Sequence, residues 1–446
     1  MAKHFITLII VLLTFAGVNA AEGEQPLSLK DAIAIVQMQN HEILMARAQT
    51  KLARGQGLET WQGLLPSISI TEGFTRSNDP VAVFGMKLRQ EQFAQSDFSI
   101  PALNQPDPFS DFTTSLVARQ PLLNFDALFA KRASSHGTAA AEASETYTRQ
   151  VMVVATTRVY FAIALAEASL KTTQDALASA QRHHRDAMLA FDQGLVHRSE
   201  LLLSEVRVAE LQEAVLTASA HLANARDALN LLLGLDDNSR LYAPSDTLPL
   251  AAAHESTPVG GVRMDLQAAQ FQAAAASNMM RSQQAKWLPR LNGFASLQWH
   301  SNDFAGNEGS NWTIGMQLEW QIFEGLGKAG RFKQAKAQKE LAEIKYRHTR
   351  NAVIVEKQMA ARAAEVARQR IAVASHAATQ AAESLRLAEE RFEQGLEKVA
   401  DLLDKETRLS QARLRALKAR YDYMIAKAEL ALAVGNIDLE TDGEKE

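Results

Sequence analysis

The chain has 446 residues, a formal net charge of −4 and no cysteine. The missing cysteines exclude disulfides, thiolate metal sites, a cysteine nucleophile and lipid acylation at the amino terminus. The small net charge spreads without a basic patch, so nucleic acid is not an expected partner.

Residues 1–20 read as an export signal. Lys3 and His4 precede an apolar stretch from Phe5 to Val18, and Val18-Asn19-Ala20 fits the small-x-small cleavage rule. Ala21 is then the expected start of the mature chain. The stretch is short for an anchor, and no later apolar run reaches the ~18 residues of a spanning helix. A membrane crossing is therefore expected to use a β-barrel.

From Leu27 to about Gly63, residues such as Leu29, Ile33, Val36 and Ile43 recur at helical spacing, with Ser28 and Asp31 as a capping pair. Leu65-Pro66 ends this helix. Ile68, Ile70 and Phe74, with Thr71 and Thr75 between them, predict a strand over 67–77. Residues 79–110 contain four prolines and no stable period, and read as a long loop. A second strand runs from about Phe112 to Leu123. Asn124-Phe125-Asp126 then opens a helix of about 67 residues, roughly 100 Å at 1.5 Å per residue.

That helix stops at Phe191-Asp-Gln-Gly-Leu195. Gly194 can take positive φ without a Cβ penalty, so the motif reads as a tip between antiparallel helices. The return helix ends at Leu233-Gly234. It carries a coiled-coil seam from Leu201 through Leu211 and Leu222 to Leu232. Residues 236–262 form an irregular connector.

The plan then repeats. Leu288-Pro289 matches Leu65-Pro66, and Phe392-Glu-Gln-Gly-Leu396 matches the first tip at an offset of 201 residues, Gly194 to Gly395. Strands are predicted at 290–301 and 312–323, a long helix at 328–394 and a return helix to Val434-Gly435. Its seam runs from Leu402 through Leu409 and Ala416 to Leu430. The repeats thus span 21–235 and 263–435, with a polar tail at 436–446. In the last strand Trp312, Ile314, Met316, Leu318, Trp320 and Ile322 alternate with polar residues, and Trp299 joins them from the partner strand. One apolar face with Trp near its ends suits a lipid-facing barrel strand. Four strands cannot close a barrel, so several chains must contribute.

This order resembles the TolC family of outer-membrane efflux channels, the outer-membrane factors. The resemblance rests on the paired Gly-Leu tips, Leu-Pro before each first strand, Arg263-x-Asp-Leu-x-Ala-Ala269, and Ile322-Phe323-Glu-Gly325-Leu-Gly327 after the last strand. It implies a mainly α protein with membrane β structure. Three protomers would share a twelve-stranded barrel, four strands each, continuous with a long-helix periplasmic α-barrel, and the connector would help form an equatorial belt. It further implies a homotrimer in outer-membrane lipid, a passive exit duct for efflux or type I secretion. The partners would be a periplasmic adaptor and an inner-membrane transporter, with no cofactor, no metal and no enzyme activity.

The same resemblance makes Asp401 and Asp404, one helical turn apart, a carboxylate ring at the periplasmic aperture, with Glu200 helping to hold the first tip closed. Gly194, Leu195, Gly395 and Leu396 become adaptor-docking residues. The plain alternative for the two aspartates is a solvated helix face. Phe392 replaces a frequent Tyr, Glu397 stands where the family can carry a gating Arg, and Ala190 lies opposite Arg391, so the closed-state bonds differ here. Glu406 is expected on another face from Asp404.

Gly325-x-Gly327-x-x-Gly330 imitates a dinucleotide fingerprint, but no parallel strand follows at the required distance, and the glycines read as relief for a strand-to-helix bend. The adjacent His183 and His184 face different sides of a helix and make a poor metal pair. The rival reading is a soluble periplasmic coiled-coil scaffold without a pore, its strands packed as an ordinary sheet. It explains the helices but not the Trp-ended alternation. An exported enzyme has no candidate nucleophile or metal set.

Overall fold

A computed structural model describes residues 25–235, 242–248, 260–394 and 396–437. The export signal, much of the connector and most of the tail lie outside the described residues. In the first repeat the elements are β1 (Gln25–Leu27), α1 (Leu29–Gln39), α2 (His41–Glu59), β2 (Ser67–Ser77), α3 (Pro80–Arg89), α4 (Ile100–Asn104), β3 (Phe109–Leu123), α5 (Phe125–Asp192) and α6 (Arg198–Leu233). The connector holds β4 (Tyr242–Pro244). The second repeat has α7 (Met264–Ala285), β5 (Arg290–Ser301), β6 (Gly309–Glu319), α8 (Gly327–Glu393) and α9 (Val399–Val434). The two long helices have 68 and 67 residues, as the periodicity requires. Both seams are buried or half-buried along their length.

Four expectations need correction. The first helix is broken at Asn40, which leaves helical geometry at ψ 130° while its side-chain Nδ2 donates to the Leu232 carbonyl at 2.8 Å. The 79–110 segment is not a plain loop. It forms α3, a 3-10 turn at Gln95–Phe98 and α4. Asp79 caps α3 by accepting from the Ala82 amide at 2.8 Å, and Pro80 occupies its first turn, where the missing N–H costs nothing.

The last strand lies at 309–319 rather than 312–323, so Trp320 and Ile322 fall beyond it. The Trp320 indole N–H donates to the Trp287 carbonyl at 3.1 Å. Finally, α5 does contain an 18-residue window of mean hydropathy 1.6, apolar enough by composition to cross a membrane. Its Val154, Tyr160, Phe161 and Ile163 are buried against protein.

The chain divides into two compact units, each drawing on both repeats. One takes its described residues from Met1–Asn40, Val153–Glu255 and Ala363–Ala428, the other from His41–Met152, Ser256–Arg362 and Glu429–Glu446. The first unit holds the helix tips. In it β1 pairs in parallel with β4, and the buried Tyr160 hydroxyl donates to the Leu27 carbonyl at 2.7 Å. The same oxygen accepts from the Asp246 amide at 3.1 Å, tying α5 to this two-stranded ribbon.

The second unit holds a four-stranded antiparallel sheet in the order β2-β3-β5-β6. Its register sorts the faces. Ile70, Leu116, Leu297 and Trp312 lie in one cross-strand row, and Ile68, Ala118, Ala295 and Ile314 in another. Between them, on the opposite face, run Ser69, Val117, Ser296 and Thr313. Ile314 and Met316 are 72% and 73% exposed, so among the described residues nothing covers them on the apolar face. Among the described residues β2 and β6 each keep one edge without a strand partner. Pro121 sits at a register shift in β3, where its missing N–H disturbs the ladder least. Past β6, Gly325 takes φ +57° at the turn into α8.

Removing the Tyr160 hydroxyl leaves the Leu27 carbonyl with the Ser245 amide alone and the Asp246 amide without this partner, which costs on the order of 1 kcal/mol. Tyr160→Phe should therefore lower the thermal midpoint of the purified protein. An unchanged midpoint would show that the bond contributes nothing to stability.

Candidate functional site

The tips are built by backbone chemistry before any side chain acts. At the end of α5, Gly194 takes φ +73°, its amide donates to the Phe191 carbonyl at 2.9 Å, and the Leu195 amide donates to Ala190 at 2.9 Å. These are the paired bonds of a Schellman ending, which satisfies the last free helix carbonyls. Gly395 lies outside the described residues. The Leu396 amide nonetheless donates to Arg391 at 2.9 Å, the same bond at the second tip. Leu195 and Leu396 are 73% and 65% exposed.

Beneath the turns the tips differ. Arg391 Nε lies 3.2 Å from Glu397 Oε2, closing the second tip with an ion pair. The matching first-tip positions are Ala190 and Val196, which cannot form one. Phe392 packs beside the buried Val399 and Leu403, with Leu201 and Val196 at the edge of the same cluster. It also borders Leu385, Ala388, Leu402 and Leu409. This apolar position leaves no role for the hydroxyl of a Tyr.

Asp401 and Asp404 are both exposed at the start of α9, while Leu402 and Leu403 between them are buried. Asp404 Oδ2 accepts from Arg408 Nε at 2.7 Å, and this bond holds its carboxyl below the usual range. Its negative charge is thus partly balanced on its own helix. Glu200, half-buried in the first turn of α6, belongs to the other tip.

Glu406 lies on another face from Asp404, as its spacing requires, and is buried there. It is 2% exposed, and neither carboxylate oxygen has a hydrogen-bond partner. Burial pushes its pKa up to about 7. Arg207 of α6 opposes the shift, Glu389 of α8 reinforces it and Arg182 of α5 opposes it more weakly. The signal was in the sequence. Leu402, Glu406 and Leu409 follow the four-then-three spacing of the seam itself. Nearby, His183 Nε2 is 3.8 Å from Glu389, and burial lowers its pKa. His184 meets Ser204 instead, at 2.8 Å, so the adjacent histidines do face different partners.

With this geometry in place, the comparison with known proteins is direct. A profile described as outer membrane efflux protein matches residues 33–235 and 262–436. The chain belongs to the outer membrane efflux protein family. Its fold is similar to the CmeC outer membrane channel of Campylobacter jejuni, at a TM-score of 0.80 and 19% identity, covering 92% of this chain and 85% of that one. The outer membrane protein VceC of Vibrio cholerae matches at a TM-score of 0.76 and 19% identity, with 91% and 96% covered. The open state of the Neisseria gonorrhoeae MtrE channel matches at 0.75 and 19%, with 91% and 88% covered. No curated protein sequence matches the chain.

Membership makes the protein an outer-membrane exit duct of tripartite efflux. The rival reading, a scaffold without a pore, falls with this assignment.

The buried Glu406 gives the tip region a pH dependence of defined sign. The neutral carboxyl suits its buried site, so its stabilising contribution is complete below the ordinary carboxylate pKa and is lost as pH rises through about 7. Hydrogen exchange in the first turns of α9, corrected for intrinsic rates, should show weaker protection at about pH 8 than at about pH 6. Glu406→Gln cannot ionise and should abolish that difference. Equal protection at both pH values in the unaltered protein would sink the assignment.

Proposed function

We propose that three copies of this chain close their sheets into one twelve-stranded barrel in outer-membrane lipid. Their long helices form the periplasmic part of the duct, and a periplasmic adaptor and an inner-membrane transporter engage it at the tips. The observation that carries this reading is the four-stranded sheet with an apolar, uncovered face and two open edges. In a bilayer each unpaired backbone group costs several kcal/mol, so the edges must find strands elsewhere. Four strands are too few to close alone, and three sets of four give a ring.

The exposed apolar side chains of the helices support the same conclusion. Leu202, Val206 and Leu216 on α6, and Ile354, Met359 and Val373 on α8, stand open to solvent in a single copy. Trp299, Trp312, Ile314, Met316 and Leu318 then face lipid, and Trp320 lies just past the strand end. At the other end, Gly194, Leu195, Gly395 and Leu396 present six Gly-Leu turns to the adaptor.

Asp401 and Asp404, repeated three times, line the aperture, with Glu200 on the neighbouring tip. Carboxylate rings favour cations in a narrow aqueous path. Because Arg408 offsets Asp404, Asp401 carries more of the effect.

Two experiments test this reading. Met316→Arg should destabilise the membrane-inserted protein by on the order of 2–4 kcal/mol and weaken its heat-resistant trimer band, whereas Gln317→Arg on the polar face should be tolerated. Equal tolerance would remove the assigned lipid face. In single-channel recordings Asp401→Ala should reduce cation preference more than Asp404→Ala does. If neither changes selectivity, both aspartates belong to a solvated surface and the constriction lies elsewhere.

A further inference from the structure

We propose that the segment Pro80–Asn104 is a folded cap that sits inside the outer mouth of the duct and limits the size of what can pass there. The inference rests on the barrel reading above and adds a second constriction, far along the sheet from the helices.

The segment is larger than its hairpin needs. The β5–β6 connection spans only 302–308, while the β2–β3 connection spans 78–108. Hairpin loops ordinarily take two to five residues, and longer ordered ones usually have a task. This one has its own small core. Phe93 lies between Phe84 and Phe98, with ring centroids 4.7 and 5.1 Å away. Val83 and Met86 are buried beneath α3, and Lys87 pairs with Asp97 at 2.8 Å.

Its position on the sheet decides its role. Gln90, at the end of α3, is 1% exposed, and its Nε2 donates to Asp111 Oδ1 at 2.8 Å and to the Ser110 carbonyl at 3.0 Å. Asp111 Oδ2 accepts from the Thr113 hydroxyl at 2.8 Å and lies 2.9 Å from His300 Nδ1. The register pairs Thr113 with His300 and His300 with Gly309, and Asp111 is one same-face step away. All four stand on the face that carries Ser296 and Thr313, opposite the row of Ile314.

Gly309 confirms the close approach, since a Cβ there would fall 1.9 Å from the Arg89 carbonyl oxygen. Gln92 anchors the segment again, donating to Glu308 at 2.6 Å and accepting from Asn302 at 3.1 Å. In a membrane barrel the apolar face meets lipid and the polar face lines the lumen. A structure bonded to the polar face at the hairpin end therefore lies within the mouth, and three copies bring three caps around one axis.

The absence of cysteine makes the test clean. Thr313→Cys places a single thiol on the polar face, deeper than the His300–Gly309 row. Intact cells carrying this variant are treated with a small impermeant maleimide or a polymer-linked one, and the trimer band is followed on unheated gels. The cap predicts prompt labelling by the small reagent and several-fold slower labelling by the large one. Replacing 80–104 with a short Gly-Ser linker, or lifting the cap with Gly309→Leu, should restore fast labelling by the large reagent.

If the trimer forms and both reagents label the capped protein at equal rates, the cap proposal is overturned. The same holds if the rate is unchanged in a cap variant that keeps its trimer. If the Thr313→Cys protein makes no trimer, or labels only from the lipid side, the barrel reading itself fails and the cap falls with it.

Discussion

Backbone hydrogen bonding in lipid is the constraint on which this structure depends. A bilayer core supplies no water to strand edges, so a sheet can enter it only as part of a closed ring. The chain supplies four strands in register, with Ile70, Leu116, Leu297 and Trp312 in one row and polar residues in the alternate rows, and it leaves β2 and β6 open. Both open edges and the uncovered apolar face are costly for a single copy in water. The shared barrel proposed above would satisfy both at once. The long helices α5 and α8 are of near-equal length, 68 and 67 residues.

At the tips, one backbone design supports two different electrostatic settings. The bonds from Leu195 to Ala190 and from Leu396 to Arg391 are the same, because the Gly-Leu ending satisfies helix carbonyls whatever side chains surround it. Side chains then separate the halves. Arg391 and Glu397 close one tip with an ion pair that Ala190 and Val196 cannot form at the other. Glu406 is buried on α9, whereas its counterpart Glu205 is exposed on α6. The buried carboxyl pushed up to about 7 therefore belongs to the second repeat.

Local chemistry was legible in the sequence, and distant partners were not. β2 was readable over 67–77 because Pro66 and strict alternation bound it, and the long helices because Asn124 and the Gly tips end them. The Asn40 break was hidden because the bond that fixes it runs to Leu232, 192 residues away. α3 was missed because Pro80 was counted as a breaker, although a proline behind an Asp cap opens a helix. That Glu406 lies on another face from Asp404 was legible from their spacing, while its surroundings on α5, α6 and α8 were not. Of the candidate aperture residues, sequence supplied the shared exposed face of Asp401 and Asp404 but not the bond from Arg408 to Asp404.

The internal repeat also sorts features by symmetry. Whatever occurs in both repeats appears six times in a trimer, and whatever occurs in one appears three times. The Gly-Leu turns are of the first kind, since the bond of the Leu amide recurs at both tips. A partner that recognises backbone turns can thus meet six similar sites. The Pro80–Asn104 segment, the Arg391–Glu397 pair and Glu406 are of the second kind. Any chemistry built from them occurs with three-fold symmetry in such a trimer. A duplicated chain gains this division because one copy of each motif can diverge while the other preserves the shared frame. The six-fold surface suits docking, and the three-fold differences suit opening and closing.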